Sequence, residues 1–162
     1  DRTLLARARR LRELTRHGST LFILNDRPDI AVLSHADGVH VGQEELSAKD
    51  ARTVVGPDAL VGVSTHSIEQ ARQAVLSGAN YIGVGPTFPS RTKEFDRFPG
   101  IALLDAVVSE IRLPAFAIGG IDFSNLSHVL GTGIRRVAVQ NAILRDADPA
   151  AAARTLANRL RG

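Results

Sequence analysis

The strongest constraint on this chain is a repeating alternation of two patterns. Short, predominantly apolar runs stand at residues 21–24, 38–41, 60–63, 81–84, 115–118 and 136–139. Each is followed by a polar turn and then by a stretch with helical spacing. Leu4, Ala8, Leu11 and Leu14 fall on one helical face that Gly18 ends. Pro28 suits the first turn of a short helix. Further helices are expected over 47–55, from about 67 to Gly78, and over 101–111 before Pro114. Two more are expected over 124–130 and 150–160. Strands that are apolar throughout, rather than alternating, are those of a parallel sheet covered on both faces. Six such units in series mean an α/β fold, either a barrel or a doubly wound sheet. No Gly-x-Gly-x-x-Gly follows the first strand, which weakens a dinucleotide fold. The expected architecture is a (β/α)8 barrel over 1–162 as a single domain. A complete barrel has eight strands and roughly 200 to 250 residues, so the first two strands are expected to precede Asp1. The absence of methionine agrees with a processed, excised or partial chain.

Composition narrows the function classes. With 44% hydrophobic and 23% charged residues the chain reads as globular. No apolar run nears the roughly 18 residues of a membrane span, no signal-peptide pattern opens the chain, and no membrane partner is expected. Zero cysteines exclude a disulfide framework and a thiolate metal site, and permit a cytoplasmic location. The net charge is +3, much of it from Arg2, Arg7, Arg9, Arg10, Arg12 and Arg16. Those arginines interleave with leucines at helical spacing, so they read as a solvated helix face and not as a nucleic-acid patch. A positive chain also suits small anionic ligands.

In a barrel the chemistry sits on the loops that follow the strands. Asn25 and Asp26 follow the first strand, and Gln43, Glu44 and Glu45 the second. Acidic groups on neighbouring loops can share Mg2+, which takes one or two carboxylates plus ligand phosphates. The plainer reading on spacing alone is that Asp26 caps the helix at Pro28 and Glu45 is solvated. Ser64, Thr65, His66 and Ser67 follow the third strand and offer hydroxyls and amides to an anion; Ser67 as a plain helix cap is an equal reading. The loop 85–99 is too long for a simple connection, and its Ser90, Thr92 and Lys93 suit a phosphate. Gly119 and Gly120 after the fifth strand allow a backbone to approach a ligand closely. Gln140 and Asn141 open a short helix where barrels often bind phosphate. Together these loops point to a phosphorylated ligand, with the reaction unspecified.

Several blocks stand in the order seen in one family. They are Asn25-Asp26-Arg27, Gly38-Val39-His40-Val41-Gly42-Gln43-Glu44, Gly62-Val63-Ser64-Thr65-His66-Ser67, Tyr81-Ile82-Gly83-Val84-Gly85-Pro86 with Thr92-Lys93, and Ala117-Ile118-Gly119-Gly120-Ile121. Over nearly the whole chain the sequence resembles the thiamine phosphate synthases. The resemblance implies condensation of hydroxymethylpyrimidine diphosphate with thiazole phosphate, to give thiamine phosphate and pyrophosphate. In such enzymes pyrophosphate departs first, assisted by Mg2+, and the thiazole nitrogen captures the pyrimidine carbocation. Carried over by position, Asp26 matches a magnesium ligand and Asn25 a pyrimidine contact. Ser64 and Lys93 match the groups that hold the pyrophosphate through the catalytic step. Thr92, and Ser90 in a position usually threonine, match thiazole-phosphate contacts, completed by Gly120 and the amides of Gln140 and Asn141. Self-association into a homo-oligomer is also expected from the resemblance. Three departures stand out. Glu45 occupies the place of a second magnesium-binding aspartate. Gln140-Asn141 replaces a Val-Ser pair. The family's Gln-x-Arg-x-Lys motif would lie ahead of Asp1. Two alternatives remain open: a thiazole tautomerase relative using His66 as acid–base, and a non-catalytic phosphate-binding module.

Overall fold

The computed structural model describes residues 1–89 and 99–162. Six strands form one sheet in chain order, from β1 to β6, and the chain divides into two compact units.

The first unit comprises Asp1–Ser64 and Gln73–Tyr81. It holds α1 (Arg2–Thr15), β1 (Ile23–Asn25), α2 (Pro28–Leu33), β2 (Gly38–Val41), α3 (Ala48–Val55) and most of β3 (Leu60–Thr65). The strands pair in parallel, Leu24 beside Val39 and Val39 beside Val61. Val39, Val41, Val61 and Val63 are buried, with Ala8, Ile30, Ala31 and Ala51 of the helices also buried. The run of buried residues is broken at His40 and Ser64, which are half-buried polar residues within strands. β1 begins two residues later than the apolar run. The Phe22 amide donates to the Asp37 carboxylate at 2.7 Å, and that carboxylate also pairs with Arg12 at 2.6 Å. A side chain thus takes the place of a ladder partner. The helices are capped as their sequences dictate: Ser47 accepts from the Asp50 amide at the start of α3. Arg52 near the end of α3 donates to the Gly56 carbonyl at 3.1 Å and to Asn80 at 2.5 Å, a cation where the helix dipole is negative.

The second unit comprises Thr65–Arg72 and Ile82–Gly162. It holds β4 (Tyr81–Val84) from Ile82 onward, α5 (Gly100–Glu110), β5 (Ala115–Ile118), α6 (Leu126–Gly131), β6 (Val137–Ala138), α7 (Asn141–Leu144) and α8 (Pro149–Arg161). α4 (Ile68–Leu76) begins here and ends in the first unit. Val84 pairs with Ala117, and Ala117 with Val137, again in parallel. Ile82, Val84, Leu104, Val107, Ala117, Leu126, Val129 and Leu156 make its core. β6 is two residues long against the four expected. Arg136 contributes its carbonyl to the Ala117 amide at 3.0 Å but is itself exposed.

One helix end departs from its usual chemistry. α2 closes with the Ala36 amide bonded to the Ala31 carbonyl and the His35 amide to the Val32 carbonyl, a Schellman closure. That closure sets His35 at φ 54°, a left-handed conformation that favours glycine. His35→Gly is therefore expected to raise the melting temperature, by about 2–4 °C for a gain near 1 kcal/mol. A melting temperature unchanged or lowered in thermal denaturation would contradict the strain assigned to His35.

Candidate active site

In the first unit the strand ends carry the polar groups. The Asp26 amide continues the ladder beyond β1, donating to the His40 carbonyl at 2.8 Å. Asp26 then turns at φ 60°, and its carboxylate accepts from the Asn25 side-chain amide at 2.5 Å. The helix-cap reading of Asp26 fails. The N-cap of α2 is Arg27, with no side-chain cap bond. A carboxylate held in a left-handed turn at a strand end, and not used to cap, is the kind of strained feature that functional sites retain.

Ser64, at the carboxyl end of β3, is joined to two residues that the sequence reading left unassigned. Its Oγ lies 2.9 Å from His40 Nε2, and His40 Nδ1 lies 3.1 Å from the Tyr81 hydroxyl. The Gln43 side chain donates to the Ser64 carbonyl at 2.5 Å. The imidazole and phenol rings stand 5.4 Å apart, centre to centre. Their meeting depends on Gly62 of β3. A Cβ there would lie 2.1 Å from Tyr81 Cζ and 2.5 Å from His40 Nδ1, well inside van der Waals contact. Burial lowers the His40 pKa, an effect the nearby Asp26 charge partly opposes. Burial pushes the Tyr81 pKa up to about 12. Both groups are therefore neutral near pH 7.

The carboxylates fit a hard cation in part. Asp26 and Glu45 sit on the loops after adjacent strands, and neither forms an ion pair with a described residue. Glu45 is exposed, and its Cγ lies 3.6 Å from where a Cβ of Gly42 would stand, so its stem folds back to the end of β2. Among the described residues no three His, Asp or Glu side chains converge. That donor set suits Mg2+, which accepts few protein carboxylates and completes its shell with phosphate oxygens and water. It does not suit a cation needing an all-protein cage.

In the second unit the backbone dominates. After β4, the Thr87 amide donates to the Ile118 carbonyl at 2.8 Å and the Phe88 amide to the Gly119 carbonyl at 3.0 Å. Gly120 has φ 64°, and a Cβ on it would lie 2.8 Å from the Phe88 carbonyl oxygen and 2.9 Å from that of Pro89. The close approach read from Gly119-Gly120 is thus made, at least in part, by the chain's own loop. His66 Nδ1 lies 2.6 Å from the Gly85 carbonyl, which places a proton on that nitrogen. The Gln70 amide donates to Ser67 Oγ at 3.3 Å, and the Gln70 side chain accepts from the His66 amide at 2.6 Å. The cap reading of Ser67 therefore holds. Gln140 and Asn141 are exposed at the start of α7, and among the described residues neither amide donates to a backbone carbonyl. Ser90, Thr92 and Lys93 lie outside the described residues.

With this geometry in place, the comparisons decide the family. A family model for thiamine monophosphate synthase matches residues 1–143. The chain is 54% identical over 148 residues to a thiamine-phosphate synthase of Rhodopirellula baltica, covering 88% of this chain and 40% of the relative. It is 40% identical over 161 residues to one from Prochlorococcus marinus, covering 99% and 46%. The solved thiamine phosphate pyrophosphorylase of Pyrococcus furiosus superposes with a TM-score of 0.89 at 34% identity, covering 99% of this chain and 79% of that one. The chain belongs to the thiamine monophosphate synthase family. It spans less than half the length of those two curated relatives.

Within this family member, the structure joins Asn25 to Asp26, and ties Ser64 to Gln43, His40 and Tyr81. The sequence signal for the missed pair was present. A histidine inside an otherwise apolar strand must find a partner, and Tyr81 is the single tyrosine of the chain. Two outcomes follow. Gly62→Ala should cost about 1–3 kcal/mol through overpacking, read as a lower melting temperature; an unchanged one would contradict the contact. The tyrosinate absorbance should titrate at about 12. Because the folded pKa is raised, this contribution to stability is full below the ordinary value near 10 and is lost as pH rises through about 12. Titration near 10 in the folded chain would contradict the burial of the phenol.

Proposed function

We propose that the protein is a transferase that condenses hydroxymethylpyrimidine diphosphate with thiazole phosphate, releasing pyrophosphate. The observation that carries this reading is the pairing of family membership with Asp26 and Ser64, polar groups kept at strand ends in the first unit. In this reading the six strands are six of the eight of a (β/α)8 barrel, supported by their order and by the likeness to the Pyrococcus furiosus pyrophosphorylase. Among the described residues no helix is long and apolar enough to cross a membrane; in this reading the protein works in the cytoplasm on small molecules.

The chemistry assigns each group a task. The bond between the pyrimidine methylene and the diphosphate oxygen breaks with its electron pair leaving on oxygen. Negative charge therefore grows on the departing diphosphate, and preorganised donors and cations aimed at it lower the barrier. Ser64 supplies a hydroxyl and Lys93 an ammonium to that charge, and Asn25 orients the pyrimidine. Asp26 and Glu45 would hold Mg2+, which neutralises diphosphate charge when bound. Ser90, Thr92, Gly120 and the Gln140 and Asn141 amides would seat the thiazole phosphate, whose ring nitrogen then attacks the cationic carbon. No protein nucleophile is required. The tautomerase alternative asks His66 to exchange protons, whereas its Nδ1 is held by the Gly85 carbonyl.

The test is pyrophosphate release from the two substrates, with and without Mg2+. Release should require Mg2+. Asp26→Asn, which keeps a residue tolerant of the left-handed turn, should lower kcat/KM by about a hundredfold or more, and Lys93→Ala by a similar factor. Absence of release by well-folded protein, or release indifferent to both substitutions, would contradict the proposal.

A further inference from the structure

Ser64 does not present its hydroxyl to a ligand unaided. Its Oγ ends a chain of three polar groups within the first unit: the Tyr81 hydroxyl, 3.1 Å from His40 Nδ1, and His40 Nε2, 2.9 Å from Ser64 Oγ. A neutral imidazole has one donor and one acceptor nitrogen, so the chain must run in one direction. Either Tyr81 donates to His40 and His40 donates to Ser64, or both bonds are reversed. The two directions give Ser64 opposite characters. In the first, a lone pair of Oγ is occupied and its hydrogen is directed outward, to an acceptor. In the second, its hydrogen is consumed inside the protein and only lone pairs face outward.

We propose that His40 is a positioning residue that turns Ser64 into an outward hydrogen-bond donor for an anionic ligand, through a relay running from Tyr81 to His40 to Ser64. A phenol is a stronger acid, and so a better donor, than an alkyl hydroxyl, which makes Tyr81 the donor at Nδ1 and puts the imidazole proton on Nε2. Gly62 is the condition for this order, since any Cβ there would push Tyr81 and His40 apart. Gln43 fixes the same serine from its other side by donating to the Ser64 carbonyl at 2.5 Å. An anion at Ser64 strengthens the relay in turn, because each bond then polarises the next. This inference rests on the reading of Ser64 as a contact to a diphosphate.

The experiment has two arms on the full 162-residue chain. Long-range proton–nitrogen NMR of histidine-labelled protein reads the tautomer of His40, with a His40→Gln sample identifying its signals. The neutral Nε2–H form is expected, and Tyr81→Phe, which keeps the ring in place, should move the population toward Nδ1–H. A wild-type proton on Nδ1, or no response to Tyr81→Phe, overturns the relay. Titration with inorganic pyrophosphate by calorimetry reads its consequence. Tyr81→Phe should weaken binding about fivefold, the worth of one neutral hydrogen bond, and should add nothing to Ser64→Ala. Equal losses from Tyr81→Phe with and without Ser64 would overturn the positioning role. No pyrophosphate binding by the unsubstituted chain, with the expected tautomer present, would instead overturn Ser64 as an anion contact and with it the purpose of the relay.

Discussion

Parallel pairing of short apolar strands governs where everything else in this chain can stand. Each strand must be followed by a crossover before the next can pair, so the residues after successive strands come out on the same side of their sheet. In the first unit that rule puts Asp26, Gln43, Glu45 and Ser64 after or at the ends of three neighbouring strands. In the second it puts the segment 85–89 beside Ile118, Gly119 and Gly120. Val39, Val41, Val61, Val63, Ile82 and Val84 of the strands are buried, and they leave little freedom in register. A slip by one residue would bury His40's neighbours wrongly and carry Ser64 to the opposite face.

Close approach takes a different form in each unit. At Gly62 the missing side chain makes room for two other side chains, an imidazole and a phenol, to meet within a strand layer. At Gly120 it makes room for backbone, the Phe88 and Pro89 carbonyls of the preceding loop. Both glycines are thus satisfied by the protein itself. The first produces a polar network in a half-buried setting, where an unsatisfied group would be costly and a complete network is correspondingly rigid. The second seats residues 88 and 89 against the turn at Gly120.

Much of this was legible in the residues. The strands at 38–41, 81–84 and 115–118 match their observed bounds, because short, mostly apolar runs bounded by turn residues are too short for a helix of their own. The helix caps at Ser47 and Ser67 were readable for the same reason: a short hydroxyl side chain before an apolar periodic stretch has an amide to accept from. Other features were hidden. The strand start at Ile23 rather than Leu21 depends on Asp37, fifteen residues away, taking the Phe22 amide. The roles of His40 and Tyr81 depend on a contact across 41 residues of sequence. Asp26 also read as a helix cap, and only its left-handed backbone angle and the place of Arg27 at the N-cap of α2 exclude that. Local pattern fixes elements well; it says little about which polar side chains find each other between elements.

In the proposed reaction the strand ends of the first unit receive a diphosphate. Amide chemical-shift mapping on isotopically labelled protein, titrated with the pyrimidine diphosphate in the presence of Mg2+, addresses it directly. Saturable shifts are expected at Asn25, Asp26, Gln43 and Ser64, with the amino ends of the same strands unmoved. Shifts spread over the arginine-rich face of α1 instead, or none at all at these residues, would contradict it.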